Sequence, residues 1–365
     1  MMTRQILDRL FDALLPVIAV VLALLIGGVM LLLLGANPLE GYAALWEGAF
    51  GNKHALANTI VKATPLLLVG AGICIAFRGG VINIGGEGQM IIGALAATSL
   101  GIFWPTGAPW LVIPLAMLAG ALGGAVWGGI PGYLKARFNV NEILSTIMMN
   151  AIAVQVMNFL LRGPLIDNSQ QNFAKIPQTA RLEKVFDLPR LAPTRLHLGA
   201  AIAVLAAILV YILLWRTSLG YRLRAVGLNA FASAYAGISV KASFVTSLLL
   251  SGALCGLAGA VQVYGLTHRM VTDGTAAGFT GSAGFNGIVA ALFGGLHPLG
   301  TIPASFLFGA LLVGANKLQR VTQVPAALII TLNGLVVIFV VSSEIWRRRR
   351  ARRRALAAVG QGGDA

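Results

Sequence analysis

A chain of 365 residues in which 57% are hydrophobic and 11% charged is not a soluble protein, where about a quarter of residues carry charge. Its mean hydropathy of +0.83 marks an all-α polytopic membrane protein and excludes the two or three soluble domains that length alone suggests. The net charge of +15 raises nucleic-acid binding, but seven arginines stand in Arg347–Arg354, directly after the last apolar run. Basic residues there anchor a membrane protein on its cytoplasmic side, so lipids are expected partners and nucleic acid is not.

Spans are counted from stretches free of Asp, Glu, Lys and Arg, because crossing a bilayer takes about 20 apolar residues. Those stretches are 13–39, 63–77, 88–134, 143–161, 196–215, 242–268, 274–316 and 321–343. The third holds two spans broken at Pro105 and Pro109, and the seventh holds two with His297-Pro298-Leu299-Gly300 as the turn. About ten membrane helices result, or eight to nine if a short segment is re-entrant. Residues 13–35 form an apolar run longer than the roughly 7–15 of a cleavable signal and read as a retained first span. With the N-terminus in the cytoplasm, ten spans return the basic tail 347–365 to the same side. Arg78, Lys135, Arg137, Arg216, Arg222, Arg224 and Lys241 then also fall inside.

Residues 37–54, with Tyr42, Trp46 and Phe50, read as an interfacial amphipathic segment. The first polar break follows at Phe77–Gln89, FRGGVINIGGEGQ. Glycine-rich polar backbone between apolar spans is costly unless it lines a cavity or lies inside protein. Asn83 or Gly85 is placed to cap the next helix, with Glu87 in its first turn at the positive end of the dipole. Further on, Asn141 is placed as a cap, with Glu142 in the first turn. Asn150, inside that span, is expected to bond another helix more than a solute.

Residues 163–195 form a long polar loop on the outer side, suited to docking a soluble partner, to a lid or to a spacer. The segment 216–241 lies inside, too polar for a span and too long for a turn. Asn229 is set to cap a short helix beginning near Ala230, and Ala225, Ala232, Ala234 and Ala236 give it a small-residue face. A second glycine-rich break, Thr272–Gly295, mirrors the first, and paired breaks in two halves point to a pathway at the repeat interface.

The chain shows no Walker-type GxxxxGK[ST], no HExxH and no nucleophile elbow. Its four histidines have no ligand spacing, and Cys74 and Cys255 lie inside apolar spans as structural cysteines. No catalytic residue, metal or cofactor is expected in this chain.

Four segments in order resemble one family. GGVINIGGEGQMIIGALAA, KARFNVNEILSTIMMNAIA, TSLGYRLRAVGLNAFASAYAGI and GFNGIVAALFGGLHPLG are similar to signatures of ABC-importer permeases of the ribose and branched-chain amino-acid class. The Asn83-Ile84-Gly85 form is most similar to the nucleoside and simple-sugar branch, where ribose permeases carry Asp-Leu-Ser. The resemblance covers roughly residues 55–345. It implies a type II-like importer permease of the bacterial inner membrane, paired with a second permease as a homo- or heterodimer. It implies a separate ABC ATPase that binds ATP and Mg, and an extracytoplasmic solute-binding lipoprotein.

By the same resemblance, 216–241 is the cytoplasmic coupling segment, matched at Gly227, Asn229, Ala232, Ala236 and Gly237, with Ser233 a small-for-small departure. Asn83, Glu87, Gln89 and Asn286 are the expected pathway residues for a neutral solute, a nucleoside first and a ribose-like sugar second. An ion-coupled secondary transporter is the rival mechanism, and a membrane-embedded enzyme or scaffold the rival class.

Overall fold

Every regular element among the described residues of the computed structural model is helical. Those residues are 21–22, 24–169, 176–191, 193–324, 331, 334, 335, 338, 339 and 342. The start of the first expected span, most of 321–343, the Arg347–Arg354 tail and both termini lie outside them.

In chain order the helices are α1 (Leu24–Leu33), α2 (Pro38–Phe50), α3 (Lys53–Arg78), α4 (Gly86–Phe103), α5 (Pro109–Phe138) and α6 (Glu142–Arg162). After the loop 163–195 come α7 (Gly199–Arg216), α8 (Ser218–Leu228), α9 (Ala230–Tyr235) and α10 (Val240–Gln262), which runs on as a π turn, Val263–Thr267. The last are α11 (Ala276–Thr280), α12 (Ala283–Phe293) and α13 (Pro298–Thr322). Six helices are long and apolar enough to cross a membrane: α3, α5, α6, α7, α10 with its π turn, and α13. The expected ten is therefore not reached among the described residues. α1 and α12 are short, and the polar Glu87 and Gln89 dilute the apolar character of α4.

Local chemistry sets the ends. Pro105 and Pro109 bracket the break between α4 and α5, and Pro109 opens α5 at a position where its missing N–H costs nothing. Asn139, in the left-handed region at φ 55, ends α5. Asn141 then caps α6 through the Ile143 N–H at 2.9 Å. Across this turn Lys135 and Glu142 pair at 2.6 Å. On α2, Trp46 is exposed.

The chain divides into two compact units, Leu56–Ala310 and the pair Met1–Ala55 with Leu311–Ala365. In the larger unit α4, α5 and α10 meet along glycines. A Cβ at Gly124 would lie 2.6 Å from the Gly256 Cα, and one at Gly256 would lie 2.8 Å from the Gly124 Cα. Such an approach brings backbone against backbone, which is how helices gain contact where lipid supplies no hydrophobic drive. Next to it, Ala71 and Ile75 of α3 pack on Val210 and Leu214 of α7 and Leu223 of α8. In the smaller unit Leu31, Leu318 and Val324 form a core with Tyr42 and Leu45, and Lys317 pairs with Glu47 at 2.5 Å.

The loop 163–195 is tied down by backbone hydrogen bonds. The N–H groups of Thr179, Leu182 and Leu188 donate to the carbonyls of Met270, His268 and Tyr264 at 2.8–3.0 Å. His197 is buried at the foot of the loop, where burial first, and then Arg190 and His268, push its pKa from 6.5 down to about 4. A folded pKa below the unfolded one means the unfolded chain binds the proton more readily. Stability is full above the unfolded value and is lost as pH falls toward the folded one. The thermal midpoint in detergent is expected to fall between about pH 6.5 and pH 4, and His197→Asn to flatten that fall.

Candidate functional site

The first break begins where α3 stops. Gly80 adopts φ +77, and the Val81 N–H donates back to the Ala76 carbonyl at 3.0 Å. Residues 81–84 cross to α4, which opens at Gly86 with Gly85 as its N-cap. Asn83 supports this opening from two residues before the cap, its Oδ1 accepting the Gly85 N–H at 2.8 Å.

Three of the four expected pathway residues are buried. The Asn83 amide donates to Gln89 Oε1 at 2.9 Å and to Ser251 Oγ of α10 at 2.8 Å. Gln89 returns a bond to Asn83 Oδ1 at 3.1 Å. From α6, Asn150 accepts the Gly88 N–H at 2.8 Å and donates to the Ile84 carbonyl at 2.9 Å. Asn150 thus bonds another helix, as its place in a span implies. Asn83 and Gln89 are satisfied within the protein, so their amides hold the break in shape; a buried polar network so satisfied rigidifies.

Glu87 is 1% exposed and lies in the first turn of α4, as expected. Its carboxylate reaches further than its own helix: Oε1 accepts the Phe285 N–H of α12 at 3.1 Å. The N-terminal turn of α12 packs so tightly here that a Cβ at Gly284 would stand 2.8 Å from Glu87 Cγ. The second glycine-rich break, turned by Gly281 and Ser282 at φ 60 and 61, is thereby brought onto the first. Two helix N-termini flank one carboxylate, each favouring negative charge. Oε2 is buried without a hydrogen bond among the described residues.

Asn286, one residue beyond Phe285, is half-buried, and its side chain makes no hydrogen bond among the described residues. It is the accessible member of the four, next to a Phe285 side chain 48% exposed.

The segment 216–241 folds as α8 and α9. Thr217 caps α8 through the Gly220 N–H at 3.1 Å, and Asn229 caps α9 through the Ala232 N–H at 3.0 Å. Ala232, Ala236 and Gly237 are exposed, with Gly237 at φ +78 and open space around it. Ser233 is buried and belongs to the inner side of the turn, so its departure from the alanine pattern falls away from the exposed face.

Sequence reading missed the largest feature of this face. Leu228, Phe231 and Tyr235 are 89%, 84% and 95% exposed. Phe231 and Tyr235, four residues apart, share one side of α9, and Leu228 ends α8 just before the Asn229 cap; the spacing was visible in the sequence but overshadowed by the alanines. Gly227 differs from the other matched residues, because a Cβ there would run into the Arg78 carbonyl, 3.0 Å from the Gly80 N. It seats α8 on the chain at the mouth of the first break.

Arg78 extends that seat. Its guanidinium donates to the Leu296 carbonyl at 3.0 Å and the Gly295 carbonyl at 3.3 Å, beside the α12–α13 turn. It also lies 5.5 Å from the Trp215 ring, and Arg224 of α8 lies over the same ring at 5.5 Å. One cluster therefore joins α8, the end of α3 and the turn after α12.

Among the described residues no group of His, Cys, Asp and Glu is arranged to hold a metal. Cys74 and Cys255 are free and buried.

The family model described as "Branched-chain amino acid transport system / permease component" matches residues 55–341. A guanosine ABC transporter permease of Bacillus subtilis is 40% identical over 92% of this chain and 94% of its own length. A glucose ABC transporter permease of Haloferax volcanii is 32% identical over 96% of this chain and 92% of its own. A nucleoside ABC transporter permease of Lactococcus lactis is 31% identical over 90% of each. No solved structure matches the chain.

Proposed function

This chain belongs to the branched-chain amino acid transport system / permease component family, and from that premise we propose that it is the permease subunit of an ATP-driven importer of nucleosides. The observation that carries the reading is the meeting of the two glycine-rich breaks, where Glu87 accepts the Phe285 N–H across 198 residues of chain. Broken helices whose N-termini converge in a membrane protein are the common frame of a solute pathway. The guanosine and nucleoside permeases among its relatives favour a nucleoside. The glucose permease keeps a simple sugar as the second reading.

In this proposal a second permease completes the pathway, and a solute-binding lipoprotein delivers solute at the outer loop. ATP and Mg bind on a separate ATPase beneath Leu228, Phe231 and Tyr235. Both termini lie in the cytoplasm and the protein sits in the bacterial inner membrane. Movement of α8 reaches the pathway through Gly227, which touches Arg78, and through the Arg78 bonds to the turn after α12.

Asn286 is the group that meets solute, and Asn83, Gln89 and Glu87 hold the shape around it. Asn286→Leu is expected to raise KM for the nucleoside about tenfold, one hydrogen bond to solute, with normal yield of protein. Asn83→Leu is expected to lower yield and thermal midpoint instead, because Gln89, Ser251 and the Gly85 N–H lose a buried partner. Unchanged KM in the Asn286 variant would remove that residue from the pathway. Uptake measured in competition with adenosine, guanosine, ribose and a branched-chain amino acid tests the solute class. Uptake that survives ATP depletion but collapses with an ionophore would replace the ATP-driven mechanism by an ion-coupled one.

A further inference from the structure

Two concavities meet at the end of α7 remote from α8. One is a cavity of about 380 Å³ lined by Arg181, Lys184, Asp187, Arg190, Arg195 and His268. Asp187 is its one carboxylate and is already engaged, by His268 at 2.7 Å and Arg190 at 3.5 Å. Arg181, Lys184 and Arg195 form no ion pair among the described residues, so the cavity holds unneutralised positive charge. The other is an open groove of about 720 Å³ whose walls are almost wholly apolar, including Leu198, Ala201, Val204, Leu205 and Ile208. From Leu198 at its N-cap, the other four run down one side of α7, which spans 18 residues and so about 27 Å. Arg190 lines both spaces and joins them.

A basic cavity that opens onto an apolar groove along a membrane helix has the chemistry of a phosphate ester bearing hydrocarbon. Water alone in the groove would leave that apolar wall wet, and a soluble anion would leave the groove empty. We propose that this cleft holds one anionic phospholipid of the leaflet facing away from α8, its phosphate among Arg181, Lys184 and Arg195 and one acyl chain along α7. The lipid pins the outer loop to α7, since the loop supplies the basic groups and the helix supplies the groove.

The test uses the purified full-length permease in detergent, with lipid retention read by native mass spectrometry and the thermal midpoint read in parallel. On the unaltered protein, phosphatidylglycerol is expected to be retained and to raise the midpoint, while phosphatidylcholine and inorganic phosphate do neither. The triple change Arg181→Gln, Lys184→Gln, Arg195→Gln is expected to weaken phosphatidylglycerol at least about tenfold, since each basic residue adds to the attraction for the phosphate. Ala201→Phe, which fills the groove without touching charge, is expected to weaken it as well. Equal retention of phosphatidylcholine overturns the proposal. So does protection by inorganic phosphate equal to that by phosphatidylglycerol, which marks a free-anion site. Loss of binding to an acidic solute-binding protein in the triple variant, with phosphatidylglycerol retention unchanged, marks a protein-docking patch and overturns it too.

Discussion

Phe231→Asp and Tyr235→Asp are each expected to detach the proposed ATPase from a permease that remains folded, with transport falling to background. Both side chains are more than four-fifths exposed, so the permease loses little by the change. An aromatic side chain that becomes buried at an interface contributes about 2–4 kcal/mol as a central anchor. Replacing it with a carboxylate removes that contribution and adds the cost of desolvating a charge. Affinity is expected to fall about 30- to 1000-fold. Co-purification of the ATPase, with the permease's thermal midpoint as the folding control, gives the measurement. Full ATPase recovery with both variants would place the docking surface elsewhere. Gly227→Trp is not an equivalent test, because its side chain would displace the Arg78 carbonyl and deform the break itself.

Gly256→Leu abolishes accumulation of the folded protein. At this position α10 lies against both α4 and α5, and the nearest atoms to an added Cβ are backbone atoms of Gly120 and Gly124. Backbone cannot swing aside as a side chain does, so three helices would have to separate. Overpacking a core costs about 1–3 kcal/mol where neighbours can adjust, and here the strain adds the loss of close contacts among α4, α5 and α10. A total above about 4 kcal/mol is comparable to the whole stability of many domains. Gly129→Ala is the matched control on α5, since its Cβ meets only the end of the Leu249 side chain, at 2.7 Å, which can rotate away. Yield and detergent melting of the two variants separate the outcomes, and wild-type melting for Gly256→Leu would contradict the packing.

Features set by a few neighbouring residues were legible in the sequence. The caps at Asn141 and Asn229 depend on N–H groups two or three residues away, and both formed where read. The breaks at 77–89 and 272–295 were visible because glycine and polar residues interrupt apolar runs. Which residues join them was not, because that rests on distant partners. Asn83 finds Ser251, Gly88 finds Asn150, and Glu87 finds Phe285, at separations of 62 to 198 residues. Without those partners a buried amide and a solute-binding amide look alike, so Asn83 and Gln89 read as pathway groups. The alanine face of the segment 216–241 was read for its smallness, and the large side chains of the same turns were passed over. Six of the ten expected spans stand among the described residues as helices long and apolar enough to cross, and the stretch 274–316 is divided into α11, α12 and α13.

Trp215 stands between two guanidiniums, Arg78 from α3 and Arg224 from α8, with the His297 ring 4.8 Å away. An indole in such surroundings is a native fluorophore whose emission depends on how those cations are placed. If ATPase action shifts α8, Arg224 moves relative to the ring while Arg78 stays bound to the Leu296 carbonyl. The chain has six tryptophans, so replacing the other five with phenylalanine leaves one optical signal at the joint between α8 and the pathway. The switching step can then be followed in time without an attached label.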